Sequence, residues 1–373
     1  MPRRLVKFVL WTVAATIVLP ALLVLAVDPF QVVHRPFLRP LLFIENDRYQ
    51  NAGLIRQYLA RGDAFDSVVI GTSMSEDFRS LQAGAALGSG RALRLTVRGG
   101  NAEALALLAN AALETGKVRH VLWEVYRGYW DPAWMEKLQM PSELYTDRSP
   151  WGVRHYLFSH DAVATSIAIL KGTQAGVRDF DLLHDETSRS EKANREFNSP
   201  ESLAKLRAEI DPADPLVPSP PPPNAAEIER AIRDDLFGVI DAHPGATYAL
   251  VFPPVSYLDL ARRGSPELAR RALVLRLLAA EAAKRPNVAL FGFDTLSCIG
   301  GDLRNYRDYN HFLPEVAELI AASLRAGRNR ITPATVELYL RRTESQVLEW
   351  RARFVSGGPG YEGEPLSCAE TAD

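Results

Sequence analysis

The sequence predicts an α/β protein built on a central, mostly parallel sheet and preceded by one membrane-spanning helix. Three observations carry this. Short apolar runs with weak alternation recur along the body, as strands buried on both faces require; they are Ser67–Ile70, Leu93–Val97, His120–Val125, Thr247–Phe252 and Val288–Phe291. Amphipathic helical patterns lie between them, the alternation that gives parallel strands joined by helical crossovers. Phe8–Val27, "FVLWTVAATIVLPALLVLAV", carries no charge and is long enough to cross a bilayer core.

Residues 1–27 are read as a cytoplasmic stub and transmembrane anchor. Arg3, Arg4 and Lys7 precede the apolar run and Asp28 follows it, so the basic flank is expected in the cytoplasm and the rest of the chain beyond the membrane. A cleaved signal peptide is the alternative, but its apolar region is usually shorter and no A-x-A site follows cleanly. No Cys follows the run, which argues against a lipoprotein anchor. Pro20 within it is tolerable in a membrane helix.

Residues 28–64, rich in Pro and Arg without a clean period, are read as a juxtamembrane connector with some helix near its end. Residues 65–330 are expected to form the α/β domain. Its helices include "AEALALLANAALETG" after the second strand, "AAEIERAIRDDLFGVIDAH" before the fourth and "SPELARRALVLRLLAAEAAKR" after it. Residues from about 173 to 224 interrupt the alternation. They are polar and end in "DPADPLVPSPPPPN", whose consecutive prolines favour a stiff extended segment. This insertion reads as a linker or surface excursion, with a lid over a site as the alternative. Residues 331–373 open with the charged amphipathic pattern "TPATVELYLRRTESQVLEWRARF" and close in a Gly-rich tail expected to be flexible.

A chain of 373 residues has room for one large α/β domain with appendages or for two ordinary domains. A net charge of −2 suggests no general affinity for nucleic acid. The two cysteines, Cys298 and Cys368, lie at no metal-ligand spacing. In an oxidising compartment they form one disulfide; otherwise they are two thiols, and the sequence leaves both open.

One stretch carries chemistry. In "VVIGTSMSEDF" a strand ends at Gly71, and Ser73 follows at the strand's carboxyl end, where catalytic groups of parallel α/β folds sit. Ser73 and Glu76 also have capping-box spacing, so a purely structural role competes. Far downstream, "NYRDYNHFLPEVAELIAASL" places Asp308 three residues before His311, with Pro314 opening a helix. An aspartate at that spacing can orient an imidazole toward a nucleophile held elsewhere, and a serine hydroxyl needs such a base. A polar surface loop is the competing reading.

Together these segments make the chain resemble the SGNH/GDSL hydrolase superfamily, in particular its membrane-anchored bacterial members. "RYQNAGLIRQY", "VVIGTSMSEDF", "VFPPVSY" and "DYNHF" fall in the expected order. The resemblance implies a flavodoxin-like three-layer sandwich. It implies Ser73 as nucleophile, His311 as general base and Asp308 as the acid that orients it. Gly99 or Gly100 in "LTVRGGN" matches the glycine whose N–H serves the oxyanion hole, with the backbone N–H of Ser73 as a second donor. The superfamily's Asn after the third strand is absent from "VLWEVYRGYW". Asn101 is a substitute donor, or else a cap of the following helix; Glu124 or Tyr126 is an alternative group facing the site. Trp123, Tyr126, Tyr129, Trp130 and Trp134 cluster nearby, as a carbohydrate platform or as core packing.

The expected activity is that of a serine esterase or O-acyltransferase in the bacterial inner membrane, acting in the periplasm on acylated carbohydrate of the cell envelope or of exported polysaccharide. A catalytically inactive assembly protein with envelope partners, and a phospholipid or lysophospholipid hydrolase, are the alternatives. No metal or organic cofactor is indicated.

Overall fold

The computed structural model describes residues 3–35, 42–60, 64–135, 140–147, 149–179, 187–218 and 220–360. Cys368, the tail from residue 361 and parts of the insertion lie outside the described residues. The chain divides into two compact units. The smaller comprises Met1–Ala64, Ala111–Lys117 and Gln139–Asp185; the larger comprises Phe65–Asn110, Val118–Leu138 and Glu186–Asp373.

The larger unit is a mixed α/β body around a six-stranded sheet in the order β2-β1-β3-β4-β5-β6. The strands are β1 Ser67–Gly71, β2 Ala92–Thr96, β3 His120–Glu124, β4 Thr247–Phe252, β5 Val288–Gly292 and β6 Arg330–Ile331. β1 to β5 pair in parallel, and β6 adds an antiparallel edge through Leu290↔Ile331. Every residue of β1 and β2 is buried. Successive side chains point to opposite faces, so both faces of the sheet are covered there.

The parallel register aligns the carboxyl ends of the strands. Gly71 of β1 lies beside Thr96 of β2, and Glu124 of β3 beside Val251 of β4. The helix after β4 starts at Ser256, whose hydroxyl accepts the Asp259 N–H as an N-cap. It runs Tyr257–Ala282 with a break at Gly264, where φ is +67°. The C-terminal helix Val336–Val355 packs along it, and Trp350 donates its indole N–H to the Gly301 carbonyl at 2.9 Å.

The insertion is not featureless. Its described residues include the helices Thr187–Phe197 and Pro200–Ala208. Asn194 on the first donates to the Arg304 and Tyr306 carbonyls at 2.8 and 2.6 Å. Cys298 is disulfide-bonded.

The smaller unit holds the N-terminal helix Arg3–Val27, apolar and long enough over Val6–Val27 to cross a membrane. The described part of residues 28–64 is more structured than a bare connector. The buried Asp28 carboxylate accepts the N–H groups of Val32, Val33 and His34 and the Tyr156 hydroxyl, at 2.6–3.0 Å. Phe30 stacks on Tyr49, which meets Tyr156. The helix Gln50–Leu54 continues directly into a wider turn over Ile55–Leu59. Gly53 lies against the Phe30 carbonyl so closely that a Cβ would overlap it.

Candidate active site

β1 delivers Ser73. After Gly71 the chain makes a single 3₁₀ turn, Ser73–Ser75, rather than entering a longer helix. The capping box does not form: the Ser73 hydroxyl lies 2.7 Å from His311 Nε2, and the Glu76 carboxylate takes the Arg98 Nε–H at 2.9 Å.

Beneath this turn sits Glu124, buried at the end of β3. It accepts the Thr72 N–H at 3.0 Å, the Thr72 hydroxyl at 2.6 Å and the Ser75 hydroxyl at 2.5 Å. One carboxylate therefore holds residues on both sides of Ser73. Gly71 is needed for this approach, since a Cβ there would collide with Ser75 Oγ and Glu124 Oε2. Burial pushes the Glu124 carboxyl up; the bonds from Ser75 and Thr72 and the nearby His311 pull it down, and the net shift is upward. From β2, the Arg94 guanidinium reaches the Glu76 and Phe78 carbonyls and ties down the far side of the turn.

His311 arrives on a closed loop. Tyr306 and Phe312 form a bridge across it, and Arg307 N–H bonds the His311 carbonyl at 2.9 Å. Ser256, just after "VFPP", donates its hydroxyl to the Tyr309 carbonyl at 2.5 Å. Within the loop, Asp308 Oδ1 accepts the N–H groups of Asn310 and His311 at 3.0 and 2.8 Å, and Oδ2 lies 2.7 Å from His311 Nδ1. The three-residue spacing thus lets one carboxylate fold the loop and fix the ring. Burial pushes the Asp308 carboxyl up, but the hydrogen bond and charge of His311, with the two backbone N–H groups, outweigh this and leave it below the usual range. With Nδ1–H donated to Asp308, Nε2 presents its lone pair to Ser73.

Ser73, Asp308 and His311 open on a cleft of about 400 Å³, also lined by Glu76, Arg98, Ser190, Ala193 and Arg307. Ser190 and Ala193 belong to the insertion helix Thr187–Phe197, and Arg307 donates to the Ser190 hydroxyl at 2.8 Å. The insertion therefore forms a wall of the cleft. The sequence offers a lid over a site only as the alternative to a linker or surface excursion, because the polar helix carries no motif. Arg98 and Arg307 were also missed; each sits next to a residue that was singled out, Gly99 and Asp308.

The remaining expected residues are placed differently. Gly99 has φ +64° in the turn after β2, but neither it nor Gly100 lines the cleft. The Gly100 N–H is committed to the Val97 carbonyl at 3.0 Å. Asn101 caps the helix Ala102–Leu113, accepting the Ala104 N–H at 2.9 Å, and its amide donates to the Met135 carbonyl. It lines a separate cavity of about 350 Å³. Of the expected oxyanion donors, the Ser73 backbone is the one at the cleft. Trp123, Tyr126, Tyr129 and Trp130 are buried, with Trp130 stacked on Phe252, and so pack the core rather than offer ring faces; Trp134 is half-buried near Gly99.

The arrangement can deprotonate a serine hydroxyl and hold the resulting imidazolium against a carboxylate. No family model and no curated protein matches the chain.

Proposed function

We propose that the protein is a serine esterase or O-acyltransferase of the SGNH type, anchored in the bacterial inner membrane with its larger unit in the periplasm. The observation that carries the reading is the hydrogen-bonded chain Ser73–His311–Asp308, with links of 2.7 and 2.7 Å. The strand order 2-1-3-4-5 in parallel supports a flavodoxin-like assignment, with Ser73 at the carboxyl end of β1. The apolar N-terminal helix with its basic flank supports the anchor and its orientation.

In the proposed reaction, Ser73 Oγ attacks the carbonyl carbon of an ester as its proton moves to His311 Nε2. Asp308 stabilises the imidazolium, and the Ser73 backbone N–H faces the developing oxyanion. Collapse expels the alcohol, which takes the proton from His311 and leaves an acyl-serine. Water or a sugar hydroxyl then gives its proton to His311 as it attacks the acyl-serine, and His311 returns that proton to Ser73 Oγ as the acyl group leaves it. Apart from Ala193 the cleft is lined by polar or charged residues, which supports a short acyl group on a carbohydrate over a long lipid chain.

One observation favours a second reading, a non-catalytic assembly protein: the side-chain amide of Asn101 is spent on capping and on Met135, away from the cleft. Turnover of a simple acetyl ester by the full-length protein separates the two. The enzyme reading expects hydrolysis that is absent in Ser73→Ala; no turnover by the wild type with ester or with a sugar acceptor supports the assembly reading.

A further inference from the structure

In the smaller unit, the large apolar side chains left exposed outside the N-terminal helix all fall, among the described residues, between 151 and 170. Trp151 is 75% exposed, Phe158 54%, Ile167 40% and Leu170 66%. Scattered exposed apolar residues need no explanation, but a local concentration marks an interaction surface. Phe158 precedes, and Ile167 and Leu170 lie on, the helix His160–Leu170, which carries no charge from Ala162 to Leu170. Its buried positions are Ala162 and Ser166, one turn apart, with half-buried residues beside them, and Ala164, Ile167 and Leu170 are exposed.

That helix packs on the N-terminal helix, as does the preceding turn Arg154–Leu157. Along the N-terminal helix, residues 11–19 are exposed, and cover begins at Pro20 and is complete at Val24 and Val27. The contact therefore falls within the last eight residues of the apolar run, about 12 Å at 1.5 Å per residue. Its level is fixed at the end of the run. Tyr156 donates its hydroxyl to Asp28 at 2.6 Å, and His34 meets the Leu25 carbonyl, also at 2.6 Å. Asp28 is the first charge after the span, so Tyr156 stands at the expected headgroup level. Two exposed basic residues lie among the apolar positions, Arg154 between Trp151 and Phe158 and Lys171 directly after Leu170; such side chains reach toward phosphate while their stems stay in apolar surroundings. An aromatic pair, a helix uncharged after Asp161 and basic neighbours are the composition of an interfacial segment.

We infer that residues 151–170 form a membrane foot, seated in the outer leaflet of the same bilayer that the N-terminal helix crosses. The occupant of these exposed apolar side chains is lipid because the helix that carries them packs on the end of the apolar N-terminal helix. The inference rests on the proposed membrane anchor. It adds a second apolar contact beside the span, which immersion by about 5–10 Å would bury.

The test uses full-length protein reconstituted in phosphatidylcholine–phosphatidylglycerol vesicles. Nitroxide labels are placed singly at Ile17→Cys, Phe158→Cys, Ile167→Cys and Leu170→Cys; no described cysteine is free to compete. Oxygen concentrates in lipid and a nickel chelate in water. The foot predicts that labels at 158, 167 and 170 collide more with oxygen than with the chelate, at shallower depth than the label at 17. Chelate-dominated collisions at 167 and 170, with the label at 17 in lipid, overturn the foot and leave the anchor standing. A label at 17 open to the chelate overturns the anchor and the foot together. Independently of labelling, brominated lipid should quench the wild type more than Trp151→Phe; equal quenching contradicts insertion of Trp151.

Discussion

The hydroxyl of Ser73 lies 2.7 Å from Nε2 of His311 although 238 positions separate them in the chain. β1 and the Ser73–Ser75 turn hold one partner; the loop folded by Asp308 and Ser256 holds the other. A helix-capping serine would point its oxygen at the backbone N–H groups of its own turn. This one points away from them, to a base that is itself oriented by a carboxylate.

On the proposed mechanism, Ser73→Ala and His311→Ala each lower kcat on the order of a millionfold, and Asp308→Asn lowers it roughly 10⁴-fold, because the acid orients the base without reacting. The losses do not add, since the three act as a unit. Steady-state kinetics on single and double variants checks this. A cap alone would cost about 0.5–2 kcal/mol of stability and no turnover.

Glu124 should act through the turn it holds. Glu124→Leu keeps much of the bulk but removes both acceptor oxygens, so the Thr72 and Ser75 contacts are all lost. We expect kcat to fall by about 10²-fold, the scale of an ångström misplacement, with KM unchanged.

The same residue predicts a pH dependence of stability. Its folded-state pKa is raised, chiefly by burial. The folded protein then holds a proton that the unfolded chain has released, so stability falls as pH rises. The loss starts near the ordinary glutamate value of about 4.3 and is complete once pH passes the raised value. Urea unfolding at a series of pH values should show this slope in the wild type and its absence in Glu124→Gln. Parallel curves would contradict it.

Ser256→Ala removes both a helix cap and the tether to Tyr309. A loss of about 1–2 kcal/mol is expected in thermal unfolding. Turnover should fall as well, because the tether lies one residue from Asp308.

Much of this was legible in the sequence. The strand runs at 67–70, 93–97, 120–125, 247–252 and 288–291 match β1 to β5 within a residue or two, because strands buried on both faces must be nearly continuous apolar runs. β6, two residues long, leaves no pattern to read. Ser73, Asp308 and His311 were visible because each sits in a short local motif. The oxyanion donors expected from "RGGN" go elsewhere for a local reason: the Gly100 N–H closes the β2 turn on the Val97 carbonyl, and the Asn101 side-chain N–H goes to the Met135 carbonyl. The walls of the cleft depend on which helix the topology brings alongside, so Ser190 and Arg98 could not be found from spacing.

The most direct test of the central claim is the site at which a fluorophosphonate reacts with the wild-type protein. An activated serine is phosphonylated; a capping serine is not. The account predicts one modified peptide, carrying the adduct on Ser73, with labelling lost in Ser73→Ala and in His311→Ala. A folded protein that takes no label, or that takes it elsewhere with Ser73 unmodified, would contradict the account.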